Sequence, residues 1–139
     1  MGQAFKSTRR VEFRDTDAAG IAHFSVFFVY MEQAEHDLWR HLGLSVMLSD
    51  DQGPISFPRV GARCDYQRAV KFEDVMDVEA CVVRLGKRSV TFEFSFNHQG
   101  KAVASGQITT VCCRFDEQGT PKSIDIPGWI AEKLALASV

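Results

Sequence analysis

Apolar residues at Phe24, Phe27, Phe28, Met31, Ala34, Leu38, Trp39 and Leu42 recur at steps of mostly three or four, which predicts one amphipathic helix over about Phe24 to Leu42. Val26, Val29 and Tyr30 widen the apolar surface in its first half, and Gly43 reads as its stop. A helix apolar over so much of its circumference has to be wrapped, not merely leaned against. The rest of the chain must supply the wrapping.

What surrounds the helix reads as strands. The run from Phe5 to Arg14 precedes it, with Val11 and Phe13 alternating with polar residues. After a loop from Ser45 to Pro54 come Arg59 to Val70, Val75 to Leu85, Ser89 to His98 and Ala102 to Phe115. Val90, Phe92, Phe94 and Phe96 fall on one face of the third of these. Gly86-Lys87-Arg88 and His98-Gln99-Gly100-Lys101 read as hairpin turns, so an antiparallel meander is expected. A short closing helix is expected between Ile126 and Leu136, opened by Pro127. No internal repeat or linker interrupts the 139 residues, so residues 1–139 form a single domain. The expected class is α+β, an antiparallel sheet of about five strands wrapped around one long central helix. Such a sheet leaves edges that invite pairing with a second copy, so a homodimer is the minimum expected assembly, and dimers could pair into tetramers.

With 45% apolar and 24% charged residues the composition is that of a soluble protein. A net charge of −2 gives no global attraction to nucleic acid or anionic lipid, so an anionic ligand would need a local basic cluster. No stretch reaches the length of a membrane span, and Met1 to Arg10 has no signal-peptide core. The Met1-Gly2 opening suits myristoylation, but Lys6 stands where that motif needs Ser or Thr. Cys64, Cys81, Cys112 and Cys113 fit neither a zinc knuckle nor a disulfide framework and read as reduced, buried thiols. A cytoplasmic setting is expected.

The chemistry-bearing residues gather ahead of the helix. Asp15 and Asp17 stand where orphan N–H groups and the helix dipole favour negative charge. Either could be a cap or turn residue, and local physics does not choose between cap and catalyst for Asp17. Gly20 is a turn glycine, or the point where the main chain approaches a ligand at a helix N-terminus. His23, at the expected first helical turn, is an acid–base candidate or a packing residue. Glu32 is either solvated or a support for the loop. A metal held by Asp15, Asp17 and His23 would lack the usual spaced His/Cys set, so neither metal nor cofactor is expected. Ser25 lacks the setting of a nucleophile elbow. Lys87, Arg88 and Ser89 sit in a hairpin turn and could hold phosphate groups, or form an ordinary solvated turn.

The run Val11-Glu12-Phe13-Arg14-Asp15-Thr16-Asp17-Ala18-Ala19-Gly20-Ile21, followed by Tyr30-Met31-Glu32, resembles the 4-hydroxybenzoyl-CoA thioesterase family of hotdog proteins. The resemblance implies a hotdog fold, dimeric or higher, with active sites at the subunit interface. It implies acyl-CoA thioester hydrolysis without a metal and carries the catalytic carboxylate, nucleophile or general base, onto Asp17. It also implies that the backbone N–H around Phe24 polarises the thioester carbonyl, and that Lys87 and Arg88 hold CoA phosphates. Many bacterial members have Tyr-His after the loop and a tyrosine four positions before the aspartate. Here His23-Phe24 and Phe13 stand instead, which points to an Asp-centred site with the histidine as a neighbour.

Two other readings carry distinct signatures. A hotdog hydratase or dehydratase would add water to an enoyl thioester without freeing a thiol. A non-catalytic hotdog dimer would bind acyl thioesters and release none.

Overall fold

The computed structural model describes residues 3–139, so the Met1-Gly2 opening lies outside the described residues. Strand β1 (Phe5–Arg10) opens the chain and helix α1 (Val26–His41) follows. A short hairpin, β2 (Leu48–Asp50) and β3 (Gly53–Ile55), precedes the long strands β4 (Arg59–Tyr66), β5 (Val75–Leu85), β6 (Ser89–His98) and β7 (Lys101–Val111). A second small hairpin, β8 (Cys113–Phe115) and β9 (Pro121–Ser123), leads to α2 (Gly128–Ala135).

The five long strands make one antiparallel sheet in the order β1-β5-β6-β7-β4. The meander holds for β5, β6 and β7. However, β4 crosses to the far edge and pairs with β7, not with β5 that follows it. β4 is the outermost strand on that side, and its residues are almost all exposed. β6 lies at the centre, and Val90, Phe92, Phe94 and Phe96 are all fully buried, as their alternation predicts.

α1 buries Val26, Phe27, Tyr30, Met31, Ala34, Glu35, Leu38 and Trp39. This stripe packs on the sheet through contacts such as Phe27 with Phe96 and Trp39 with Phe92, whose ring centres lie 5.4 and 6.3 Å apart. The apolar surface was expected to be wrapped nearly all round. Instead Val29 is exposed, because one sheet covers only one side of the helix. Gly106 on β7 sits directly beneath α1, where an added Cβ would run into the Met31 sulfur and come within 2.7 Å of the Arg63 carbonyl. The absence of a side chain there sets how closely the helix approaches the sheet.

The helix ends as its sequence demands. Gly43 takes φ +81°, its N–H donates to the Arg40 carbonyl at 2.9 Å, and the Leu44 N–H donates to the Trp39 carbonyl at 2.9 Å. These two bonds are the Schellman pattern, which needs a left-handed residue at this position. α2 begins right after Pro127 and buries Ile130 and Leu134.

The first strand is shorter than its alternation suggests. Val11 is buried, but Phe13 is 75% exposed, because the chain leaves the sheet after Arg10 and tightens into a 3-10 turn over Phe13–Asp15. The Asp15 carboxylate caps that turn by accepting the Glu12 N–H at 2.9 Å. Cys81, Cys112 and Cys113 are buried, Cys64 is half-buried, and all four are free thiols. No helix among the described residues is long and apolar enough to cross a membrane.

Candidate active site

The segment between β1 and α1 is a small ribbon folded back on itself. Thr16 bridges Ala22, the Asp17 N–H donates to the Ile21 carbonyl at 2.8 Å, and the Gly20 N–H donates to the Asp17 carbonyl at 2.9 Å. The turn can close because Gly20 adopts φ +81°. A Cβ on Gly20 would meet nothing within 4 Å, so the glycine serves the turn and relieves no crowding. Ile21 in turn bridges Lys71, which ties the ribbon to the segment after β4.

Asp17 is half-buried in this turn. Its Oδ1 accepts the Ala19 N–H at 2.8 Å and, more weakly, the Ile21 N–H at 3.4 Å. Its Oδ2 accepts no hydrogen bond from any described residue. One oxygen therefore fixes the carboxylate while the other stays available. Neither aspartate caps α1: the helix starts at Val26 with no acidic residue in its first turn. Asp15 faces inward, and its carboxylate also accepts the Tyr30 hydroxyl at 2.7 Å. Burial first, then this bond to a carboxylate, raise the Tyr30 phenol well above its ordinary range, so it remains a donor.

Phe24 precedes the helix by two residues. Its carbonyl accepts the Tyr66 hydroxyl at 2.6 Å, while its N–H donates to no described group. Asp17, Phe24 and Tyr66 line one cavity of about 350 Å³ with Ile21, Phe27 and Val70. The cavity is mainly apolar, and its lining includes Asp17, which carries the carboxylate, and Phe24, whose N–H is unpaired. That combination can hold an acyl group and address its carbonyl.

The other expected residues lie elsewhere. His23 was expected in the first helical turn but stands three residues ahead of it. Its Nδ1 shares a hydrogen bond with Ser25 Oγ at 2.8 Å and accepts the Ser25 N–H at 3.2 Å, and its ring stacks on Phe24. It is exposed and does not line the cavity. Glu32 is exposed and makes no hydrogen bond to a described residue, so it does not hold the loop in this chain. The buried carboxylate of α1 is Glu35, which accepts Arg59 at 2.6 Å and the Trp39 N–H at 3.0 Å.

Lys87 and Arg88 form the tip of the β5–β6 hairpin, closed by the Gly86 N–H donating to the Ser89 carbonyl at 2.8 Å. Their carbonyls accept the N–H groups of Ile126 and Cys112, so the turn is pinned to the chain behind it. Asp125 pairs with both cations, at 2.8 Å from Arg88 Nε and 3.7 Å from Lys87 Nζ. Phe96, at the other end of β6, packs on Phe27 beside the cavity. The basic turn and Asp17 thus occupy opposite ends of one chain's sheet. Among the described residues no group of three or more His, Cys, Asp or Glu is placed to hold a metal ion. Sequence reasoning missed Tyr66 and the wall from Gln67 to Val70, which are distant in the chain from the loop they meet.

A model of the thioesterase-like superfamily matches residues 11–134. The chain belongs to the thioesterase-like superfamily. Among its superfamily relatives is a 1,4-dihydroxy-2-naphthoyl-CoA hydrolase of Synechococcus elongatus, 26% identical over 91% of this chain and 94% of that one. A 4-hydroxybenzoyl-CoA thioesterase of a Pseudomonas species is 23% identical over 84% of this chain and 82% of its own. The solved structure of a gentisyl-coenzyme A thioesterase superposes with a TM-score of 0.80 at 29% identity, covering 91% of this chain and 98% of that chain. The superfamily fold is the expected hotdog, and the expected enzyme class, a CoA-thioester hydrolase, is that of these relatives.

Proposed function

We propose that this chain hydrolyses an acyl-CoA thioester with Asp17 as the reactive carboxylate and the Phe24 N–H as the donor to the thioester oxygen. One observation carries the reading: Asp17, with a free carboxylate oxygen, and Phe24, with an unpaired N–H, line the same mainly apolar cavity. The acyl group enters that cavity against Phe24 and Phe27, and its carbonyl oxygen accepts the Phe24 N–H. Either Asp17 removes a proton from a water that attacks the carbonyl carbon, or Asp17 attacks it and water then cleaves the anhydride. In both routes a C–O bond forms, the C–S bond breaks, and CoA leaves as a thiolate that takes up a proton. The N–H stabilises the oxyanion between those events. His23 and Glu32 have no direct part in this reading, and Gly20 acts by shaping the turn that holds Asp17.

The compact aromatic-walled cavity suits aryl and short acyl groups better than long chains. Relatives acting on hydroxybenzoyl, gentisyl and dihydroxynaphthoyl thioesters support the same preference.

The CoA phosphates lie against Lys87 and Arg88, with Ser89 beside them, on a second copy of the chain. The distance between the two ends of one sheet favours this. Antiparallel pairing of two copies along the open edge β4 brings one copy's basic turn to the end that carries the other's Asp17. The working unit is then a homodimer at least. Free cysteines suit a reducing compartment, so the cytoplasm is the setting we assign.

Thiol release over a panel of aryl, short-chain and long-chain acyl-CoAs tests the activity. Asp17→Asn should abolish release while keeping acyl-CoA binding; unchanged release refutes the role of Asp17. Acyl-CoA binding with no release across the panel would favour a binding module, and water addition to an enoyl-CoA would favour a hydratase. Mixing Asp17→Asn with a Lys87→Ala, Arg88→Ala double variant should regain activity if the halves come from different copies.

A further inference from the structure

The chain contains two tyrosines, and both hydroxyls bond to the segment that carries the candidate site. Tyr30, on α1, donates to the Asp15 carboxylate at the segment's start. Tyr66, the last residue of β4, donates to the Phe24 carbonyl at its end. Phe27 stands between them, edge-on to each ring at 5.6 and 5.4 Å.

The two bonds do different things. Asp15 is also held by the Glu12 N–H, and its carbonyl accepts the His23 N–H at 2.8 Å, so the segment's start has several anchors. Residue 24 has few. Its N–H has no described acceptor, and no described backbone N–H reaches its carbonyl, because the Phe28 N–H donates to Ser25 instead. The Tyr66 hydroxyl is the one described group bonded to the carbonyl of the peptide after Phe24, whose N–H, that of Ser25, donates to His23 Nδ1 at 3.2 Å. The His23 N–H bond to Asp15, and the Val26 N–H that donates to the His23 carbonyl at 3.0 Å, hold the chain just before it. Together they fix the backbone of residue 24 from both sides.

We propose that Tyr66 is a positioning residue, whose hydroxyl grips the Phe24 carbonyl and thereby aims the Phe24 N–H at the thioester oxygen. This rests on the reading that the N–H polarises that carbonyl. The chemistry suits the task. Burial pushes the Tyr66 phenol up to about 12, so the donor is present throughout the neutral range. Oxyanion donors must be held to a fraction of an ångström, and a donor that drifts by that much loses most of its effect. The site also gains a link to β4, since the aiming residue ends that strand.

Tyr66→Phe tests this, because it keeps the ring against Phe27 and removes only the hydroxyl. With benzoyl-CoA as the probe, kcat should fall about tenfold while KM stays within about twofold. A merely structural role would lower thermal stability and leave the carbonyl unaffected. The second readout is therefore the carbonyl stretch of carbon-13-labelled benzoyl-CoA bound to the Asp17→Asn protein. Its shift to lower frequency should shrink when Tyr66→Phe is added, with the melting temperature unchanged. A full shift in the double variant overturns the role of Tyr66, whatever kcat does. No shift even with Tyr66 present removes the Phe24 reading and the Tyr66 proposal together, which separates the two failures.

Discussion

The carboxylate of Glu35, completely buried on α1, meets the guanidinium of Arg59 on β4 at 2.6 Å. Burial raises the Glu35 carboxyl above its ordinary range, against the opposing pull of Arg59 and the Trp39 N–H. The folded value therefore exceeds the unfolded one. Glu35 supports folding fully below its unfolded value, and that support is lost as pH rises through the folded value. Arg59→Met strands the carboxylate and should cost about 3 kcal/mol at neutral pH. The cost should shrink in mild acid, where Glu35 takes up a proton. Glu35→Gln should flatten the dependence on pH. Urea melts of the three proteins across mildly acidic to neutral pH measure both effects.

Asp125 partly neutralises Lys87 and Arg88, and those two hold its own carboxyl below the usual range, the bond from Arg88 foremost. All three side chains are exposed. If the turn meets CoA phosphates, Asp125→Asn leaves both cations to the phosphates. KM for an acyl-CoA should then drop, by about threefold at low salt and less at high salt. KM for the matching acyl-pantetheine, which lacks the nucleotide phosphates, should not move. Steady-state kinetics on the two substrates decide it.

Gly106→Ala would press a methyl group onto Met31 and the Arg63 carbonyl. α1 would have to lift from β7, and β4 to shift at Arg63, at a cost of roughly 2 kcal/mol. Thermal melts should show the loss, and Gly106→Ala with Met31→Ala should lose less than the sum of the two single losses.

Gly20→Ala places a side chain at φ +81°, which costs about 1 kcal/mol of backbone strain. The space around Gly20 is open, so the fold should persist. The turn that fixes Asp17 Oδ1 should loosen, lowering kcat more than it lowers the melting temperature. Kinetics beside a melt on the same preparation separate the two.

Much of this architecture is legible in the sequence because period carries it. The alternation from Val90 to Phe96 and the three-four stepping from Phe27 to Trp39 each mark a face that must be buried. Three-residue strands such as Leu48–Asp50 and Cys113–Phe115 are too short to show a period: the first falls within the expected loop from Ser45 to Pro54 and the second within the expected strand from Ala102 to Phe115. The crossing of β4 to the far edge depends on which strands meet, which no local pattern records. On the helix, the stripe through Met31, Ala34 and Leu38 contains Glu35 and leaves out Glu32, so the buried carboxylate could have been found by position alone. Asp17 was visible as a turn residue. Its partnership with Phe24 and Tyr66 was not, since Tyr66 comes 42 residues after the carbonyl it holds.

The cavity draws its walls from two separate stretches of chain. The carboxylate and the N–H come from the ribbon before α1, whose turn closes on its own hydrogen bonds. Much of the opposite wall comes from residues 66–70, at and after the end of β4. Substitutions at Gln67 or Ala69 can therefore resize the cavity without touching the turn that holds Asp17. With Asp17 as the reactive carboxylate we propose, substrate range and reaction chemistry become separately heritable traits, and a lineage could exchange one acyl group for another while its hydrolytic apparatus stayed as it was.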